Sequence, residues 1–397
     1  MNADKRRWAA GVLALGAALW AEEWPEFRGP TGQGLSTEKG LPAAWSEKQN
    51  ITWKTAIPGK GWSSPAVLGD RVWVTTATDE GKSLRAVGVD RESGKIVVDT
   101  EVFRLERTGA IHEKNSHASP TPVLEGDRVY VHFGPQGTAC LTRDGRAVWK
   151  RKLAYAQGHG PGGSPVLYGD LLIVACDGTD VQYVVALDKA TGEVRWRKER
   201  DGLMAYSTPL VVKSEPGEQL VSVSGRKTVA YEPRTGKELW SVGYGDGFSN
   251  VPRPVAGNGM VYICTGFYQP EVLAVRMADG KVAWRSGRAT PLTPSPLLVG
   301  NEIYIVSDNG IATCLDARTG EECWRQRMNG NFAASPVWAD GKIYWLSEEG
   351  ETTVIAAGPR FRRLGTNRLD GTFLASMAVS GGAIFLRSDR YLYRIGH

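Results

Sequence analysis

Apolar positions in this chain fall in short runs separated by turn residues, and no stretch after residue 21 sustains a helical period. Residues 165–197 show the pattern. The runs 165–168, 171–176, 183–187 and 193–197 are separated by Gly169-Asp170, by Asp177-Gly178-Thr179-Asp180 and by Ala190-Thr191-Gly192. Four strands joined by tight turns are predicted, because Asp and Thr bond to nearby backbone and Gly accepts positive φ. The last two strands make a hairpin from Ala186 to Trp196, with a small residue at position one, Gly at seven and Trp at eleven. That spacing returns at Ala139/Gly145/Trp149, Ala230/Gly236/Trp240, Ala274/Gly280/Trp284 and Cys314/Gly320/Trp324.

A second landmark precedes each hairpin: a small residue and a proline before an apolar run. It stands at Ser64-Pro65, Thr121-Pro122, Ser164-Pro165, Thr208-Pro209, Arg253-Pro254, Ser295-Pro296 and Ser335-Pro336, with Ser376-Met377 as an eighth instance lacking the proline. The spacings lie near the ~40–45 residues of one four-stranded propeller blade. The predicted fold is therefore all-β, a single eight-bladed β-propeller of four-stranded antiparallel blades over residues 49–397. The last unit has three strands. The segment Ile51-Thr52-Trp53-Lys54 looks like a lone fourth strand, so it is expected to complete the eighth blade and close the ring, leaving no free sheet edge. Residues 22–48 are expected to wrap the outside, with Trp24 to Pro30 as an anchor. Trp53, Trp149, Trp196, Trp240, Trp284 and Trp324 are predicted to dock between blades over the small residue and the glycine. Blade 1 has Val98 at the tryptophan position, and blade 7 reads Thr352, Gly358 and Arg362. These are expected to be the weaker seams.

The repeat resembles the tryptophan-docking motif of the pyrroloquinoline-quinone (PQQ) type eight-bladed propellers. That resemblance implies one of two lives. The family holds quinoprotein dehydrogenases of alcohols or sugars, which use PQQ with calcium. It also holds cofactor-free exported propellers, such as a scaffold of outer-membrane barrel assembly. Dehydrogenases of this type carry long insertions, an adjacent-cysteine ring and an acidic cluster. This chain has no adjacent cysteines and no acidic cluster in the loops that lead into the first strands.

Composition adds a compartment. Lys5-Arg6-Arg7 and the apolar run 8–20 make a signal peptide over 1–21, cut near Ala21, with no cysteine there for a lipid anchor. A periplasmic or secreted protein without a membrane span is expected. The net charge of +5 is scattered rather than gathered in a basic block, which argues against nucleic acid. The five cysteines form no C-x-x-C; buried free thiols are expected, with a Cys314–Cys323 cross-strand disulfide as the alternative.

The ring is read as a monomer whose channel-face loops bind a protein, peptide or glycan and catalyse nothing. The longest spacing, between blades 1 and 2, carries His112, Glu113, Lys114, Asn115 and His117. Four of the five histidines (His112, His117, His132, His159) fall near it. A metal or anion site assisted by Asp177 or Asn115 is one reading, and loop packing is the other. The His-x4-His spacing is no recurrent metal pattern, so no metal is assigned. The candidate binding residues are His112, Asn115, His117, His159, Tyr206, Arg253 and Tyr268, since Tyr and Arg most often carry such contacts.

Overall fold

The computed structural model describes residues 22–214 and 217–396, so the signal-peptide reading lies outside the described residues. Eight blades of four antiparallel strands follow one another around a ring, and the seventh blade carries a short fifth, parallel strand from the N-terminal segment. In the third blade the strands are Val166–Tyr168, Leu171–Asp177, Gln182–Asp188 and Val194–Glu199, within two residues of the sequence-based bounds. The first strands of neighbouring blades approach one another most closely, so they line the central channel. The eighth blade takes Ile51–Ala56 as its outer strand, antiparallel to Tyr391–Gly396, with Lys54 opposite Tyr393. The ring closes as expected.

The hairpin turns hold by the predicted chemistry. Asp188 Oδ1 accepts the N–H groups of Ala190 and Thr191 at 2.9 and 3.0 Å, and Gly192 sits at φ 75°. A Cβ on Gly192 would lie 2.7 Å from the Trp149 ring, and Trp149 Nε1 donates to Lys189 O at 3.0 Å. Each docking tryptophan therefore lies on the turn of the next blade. Trp196 covers Gly236, Trp240 covers Gly280, Trp284 covers Gly320, and Trp53 crosses the closure onto Gly94.

The two irregular seams are not left open. In blade 1 the register runs Trp73–Gly88–Val98, and the Trp73 ring lies over Gly88 inside the core. In blade 7 the tryptophan position falls on Gly365, opposite Val354, because the bulge comes later than the spacing implied. Trp45, from the N-terminal segment, fills that place. Its ring stacks on Tyr344 at 6.2 Å, and its backbone N–H donates to Asn367 Oδ1 at 2.8 Å. Tyr344 is the register equivalent of Tyr130, Tyr262 and Tyr304, on which Trp149, Trp284 and Trp324 lean. The borrowed ring does the work of the missing one.

Only the latter part of residues 22–48 packs against outer strands; the first part enters the channel. Trp24 exchanges backbone bonds with Val67 in the first strand of blade 1, and Pro25 O accepts from Leu124 in blade 2. Gln33 Oε1 accepts from Ala256 in blade 5, and Leu35–Ser36 pairs in parallel with Val337–Ala339 in blade 7. The outside wrap is thus a plug for this stretch. The physical reason is burial: Trp24 is wholly enclosed, which no outer surface offered.

All five cysteines are free, as expected, and four are buried; Cys323 departs in being exposed, and the bulge sets Trp324, not Cys323, opposite Cys314.

Candidate functional site

The small residue before each proline has a specific task. Its hydroxyl accepts the N–H of the equivalent residue in the preceding blade. Ser64 N–H donates to Thr121 Oγ1 at 3.0 Å, Thr121 N–H to Ser164 Oγ at 2.9 Å, and Ser164 N–H to Thr208 Oγ1 at 2.9 Å. Beyond blade 5, Arg253 N–H donates to Ser295 Oγ at 3.0 Å, Ser295 N–H to Ser335 Oγ at 3.0 Å, and Ser335 N–H to Ser376 Oγ at 2.8 Å. Ser376 N–H returns to Ser64 Oγ at 3.1 Å and completes the circuit. Blade 5 has Arg253 where the others carry a hydroxyl, so the circuit breaks once.

Arg253 turns towards the plug instead. Its Nε donates to Pro209 O at 3.0 Å, and its Nη1 contacts the Phe27 carbonyl and pairs with Glu26 Oε1 at 3.0 Å. Burial pushes the Glu26 carboxyl above the usual range, and the Arg253 charge opposes that. Arg28 lies beside it, buried, with Nη2 donating to Gln33 O at 2.6 Å and with Nε and Nη1 unpartnered among the described residues. Burial and the like charge of Arg253 lower its pKa to about 9.

Above the plug the channel widens into a blind cavity of about 640 Å3, with Phe27 in its floor. Ser64, Thr121, Ser164, Thr208, Ser295, Ser335 and Ser376 line it, together with Trp62 and one carboxylate, Asp308. One wall is aromatic. His159 stacks on Tyr206 at 6.0 Å and meets Phe248 and His112 edge-on at 5.9 and 5.7 Å. Phe248 stacks on Tyr268 at 5.0 Å, and Phe267 and Tyr268 are 44% and 66% exposed on the lip. The insertion after blade 1 spans the mouth: Lys114 Nζ reaches both carboxylate oxygens of Glu348 in blade 7 at 3.0 Å.

His112, Asn115, His159, Tyr206 and Tyr268 therefore meet at one cavity. Asn115 is a brace, its amide donating to His159 O at 2.7 Å and Pro161 O at 3.2 Å. Two candidates lie elsewhere. His117 packs on Gly81 in blade 1, where burial and Lys60 hold its pKa below the ordinary value. Arg253 is enclosed at the plug, under the floor. His132 is buried against Thr138 Oγ1 (2.8 Å) and Tyr155 OH (3.2 Å), with its pKa pushed down to about 3. Asp177 is bound inside the protein to Arg200, at 2.9 Å from Nε. Among the described residues no cluster of three or more His, Cys, Asp or Glu could hold a metal ion, and no helix is long and apolar enough to cross a membrane. Sequence reasoning passed over Phe27, Trp62 and the hydroxyl ring. The recurrence of Ser or Thr before Pro was the available signal for the ring.

Tryptophan-docked blades, a closed ring and a loop-lined channel mouth define a PQQ-repeat propeller. The chain belongs to the family described as outer membrane protein assembly factor BamB, whose profile matches residues 14–175, 138–215, 180–298 and 269–360. The assembly factor BamB of Burkholderia pseudomallei is 24% identical over 375 residues, covering 82% of this chain and 92% of that protein. The BamB of Legionella pneumophila is 27% identical over 197 residues, and the match spans about half of that relative, 49%. A europium-containing methanol dehydrogenase superposes with a TM-score of 0.71 at 10% identity, covering 92% of this chain and 90% of that one, which shows a shared fold.

A quinone with its metal needs several oxygen donors on one wall of the cavity. The lining supplies one carboxylate, Asp308, and its Oδ1 already accepts the N–H groups of Leu292 and Thr293 at 2.8 and 3.1 Å. The donor set fits that pair poorly.

Proposed function

We propose that the protein is a non-catalytic, protein-binding scaffold of the cell envelope that works in the assembly of other envelope proteins, as the name of its family states for its relatives. The observation that carries this reading is the aromatic lip. Phe248 stacks on Tyr268 beside the channel mouth with Phe267 next to Tyr268 in sequence, and Phe267 and Tyr268 are substantially open to solvent. Large rings held rigid at little entropic cost are the usual anchors of protein interfaces. The closed ring behind them is a stiff platform.

The test is site-specific photo-crosslinking in intact cells. A crosslinking residue at Tyr268 is expected to capture a discrete envelope protein. One at Val148, exposed on the outer strand of blade 2, is the control and is expected to capture none. Equal patterns from both positions would refute a lip-centred interface. The dehydrogenase alternative has its own check: incubation with PQQ and calcium followed by dye-linked oxidation of alcohols and sugars, where turnover would overturn the scaffold reading.

A further inference from the structure

We propose that the blind cavity in the channel is a saccharide-binding site, whether or not a protein docks on the rim. Three features of one cavity carry this.

Around the floor runs a ring of donors. Each hydroxyl of the circuit accepts a backbone N–H through its oxygen, and among the described residues no protein acceptor takes its own proton. A hydroxyl that lines a cavity with its proton uncommitted seeks an acceptor on whatever enters. One side offers the complement: Asp308 is fixed through Oδ1, and its Oδ2 has no hydrogen-bond partner among the described residues. The third feature is the aromatic wall of Tyr206, His159 and Phe248. A pyranose ring presents an apolar C–H face, acceptor oxygens and donor hydroxyls, and so uses all three surfaces together. The volume lies within the ~300–1,000 Å3 of ordinary ligand clefts.

Charge selects a neutral ligand. Lys114 is engaged with Glu348, and burial together with His112 holds His159 below its ordinary pKa. A basic side chain could use the rings and Asp308 but would leave the hydroxyl protons without acceptors.

Saturation-transfer NMR on the full chain at pH 7 tests this, with cellobiose, maltose and N,N′-diacetylchitobiose as probes and arginine amide as control. Transfer to the ring C–H protons of at least one sugar is expected, with a change in Trp62 fluorescence. Phe248→Ala and Asp308→Asn should each raise Kd about tenfold, the loss of one good polar or stacking contact. The Asn carbonyl can still receive Leu292 and Thr293, and Phe248→Leu replaces Phe248→Ala if the latter melts early. No transfer to any of the three sugars at millimolar concentration overturns the proposal. So does capture of arginine amide alone, or sugar binding that neither variant weakens.

Discussion

Trp45→Ala should destabilise the whole ring although residue 45 belongs to no blade. The Trp45 side chain is enclosed, stacks on Tyr344, and occupies the place that six other seams fill with their own docking tryptophan and the seam of blade 1 fills with Trp73. Truncating a buried Trp costs about 3–5 kcal/mol, and the lost ring pairing accounts for ~0.5–1.5 kcal/mol of that. At ~2.1 cal/mol/K of unfolding entropy per residue, a chain of this length should lose about 4–6 °C in Tm. Urea unfolding followed by tryptophan fluorescence measures the first, and a thermal melt followed by far-UV circular dichroism measures the second. Trp149→Ala, in a regular seam, is the comparison and should cost a similar amount. A loss below about 1 kcal/mol for Trp45→Ala beside a full loss for Trp149→Ala would refute the borrowed-ring reading.

Three further outcomes are expected. Arg253→Met strands Glu26 in the plug and should cost about 3–5 kcal/mol, with the Glu26→Gln, Arg253→Met double variant recovering part of it; a strictly additive double-mutant cycle would count against the pair. Gly34→Ala, at φ 81° with a Cβ 2.6 Å from Arg28 Nη2, should cost at least ~1–3 kcal/mol by thermal melting, whereas Gly40→Ala, at φ 70° with open space around it, should show backbone strain alone. His132 has a folded pKa of about 3, below its unfolded value, so its contribution is present above pH ~6.5 and lost as pH falls. This group should therefore contribute up to ~1.4 kcal/mol per pH unit to the fall in urea stability between that point and pH ~3, and His132→Gln should make the slope shallower, leaving the smaller share of His117 and His159.

Much of the ring was legible because its signals are local and repeated. Asp188, Gly192 and Trp196 are close in sequence, and their turn chemistry and docking geometry follow from spacing alone. Ring closure was legible by counting, since a three-strand unit at one end and a lone Trp-bearing strand at the other admit one pairing. Two of the misplacements share a cause, a contact between residues hundreds of positions apart. Arg253 reads as a surface arginine until Glu26 is set against it. The blade 7 seam reads as empty until Trp45 reaches Tyr344. Cys314 and Cys323 face each other only if the hairpin carries no bulge, and one bulged residue changes the partner. His112 and His159 were grouped by loop position and do meet, whereas His117 shares their loop but turns to Gly81.

The plug and the broken hydroxyl circuit are one device. A channel open at both ends would place the hydroxyl ring around a water-filled bore, with no floor to hold a ligand. Residues 22–36 close the far end, and that closure requires polar anchors in a space bounded by backbone. Arg253 supplies one by giving up the hydroxyl its position carries elsewhere and reaching down to Glu26 and the Phe27 carbonyl. The glycines around it follow by sterics. A Cβ on Gly32 would sit 2.6 Å from the Arg253 guanidinium, one on Gly34 equally close to Arg28, and one on Gly29 at 2.6 Å from Trp24. The sequence Arg28-Gly29-Pro30-Thr31-Gly32-Gln33-Gly34 thus packs two guanidinium groups and an indole under a floor of one phenylalanine. It follows that the cavity belongs to the ring and the segment together: removal of residues 22–36 should leave blades that can still dock on one another through their tryptophans, but around a bore without a base.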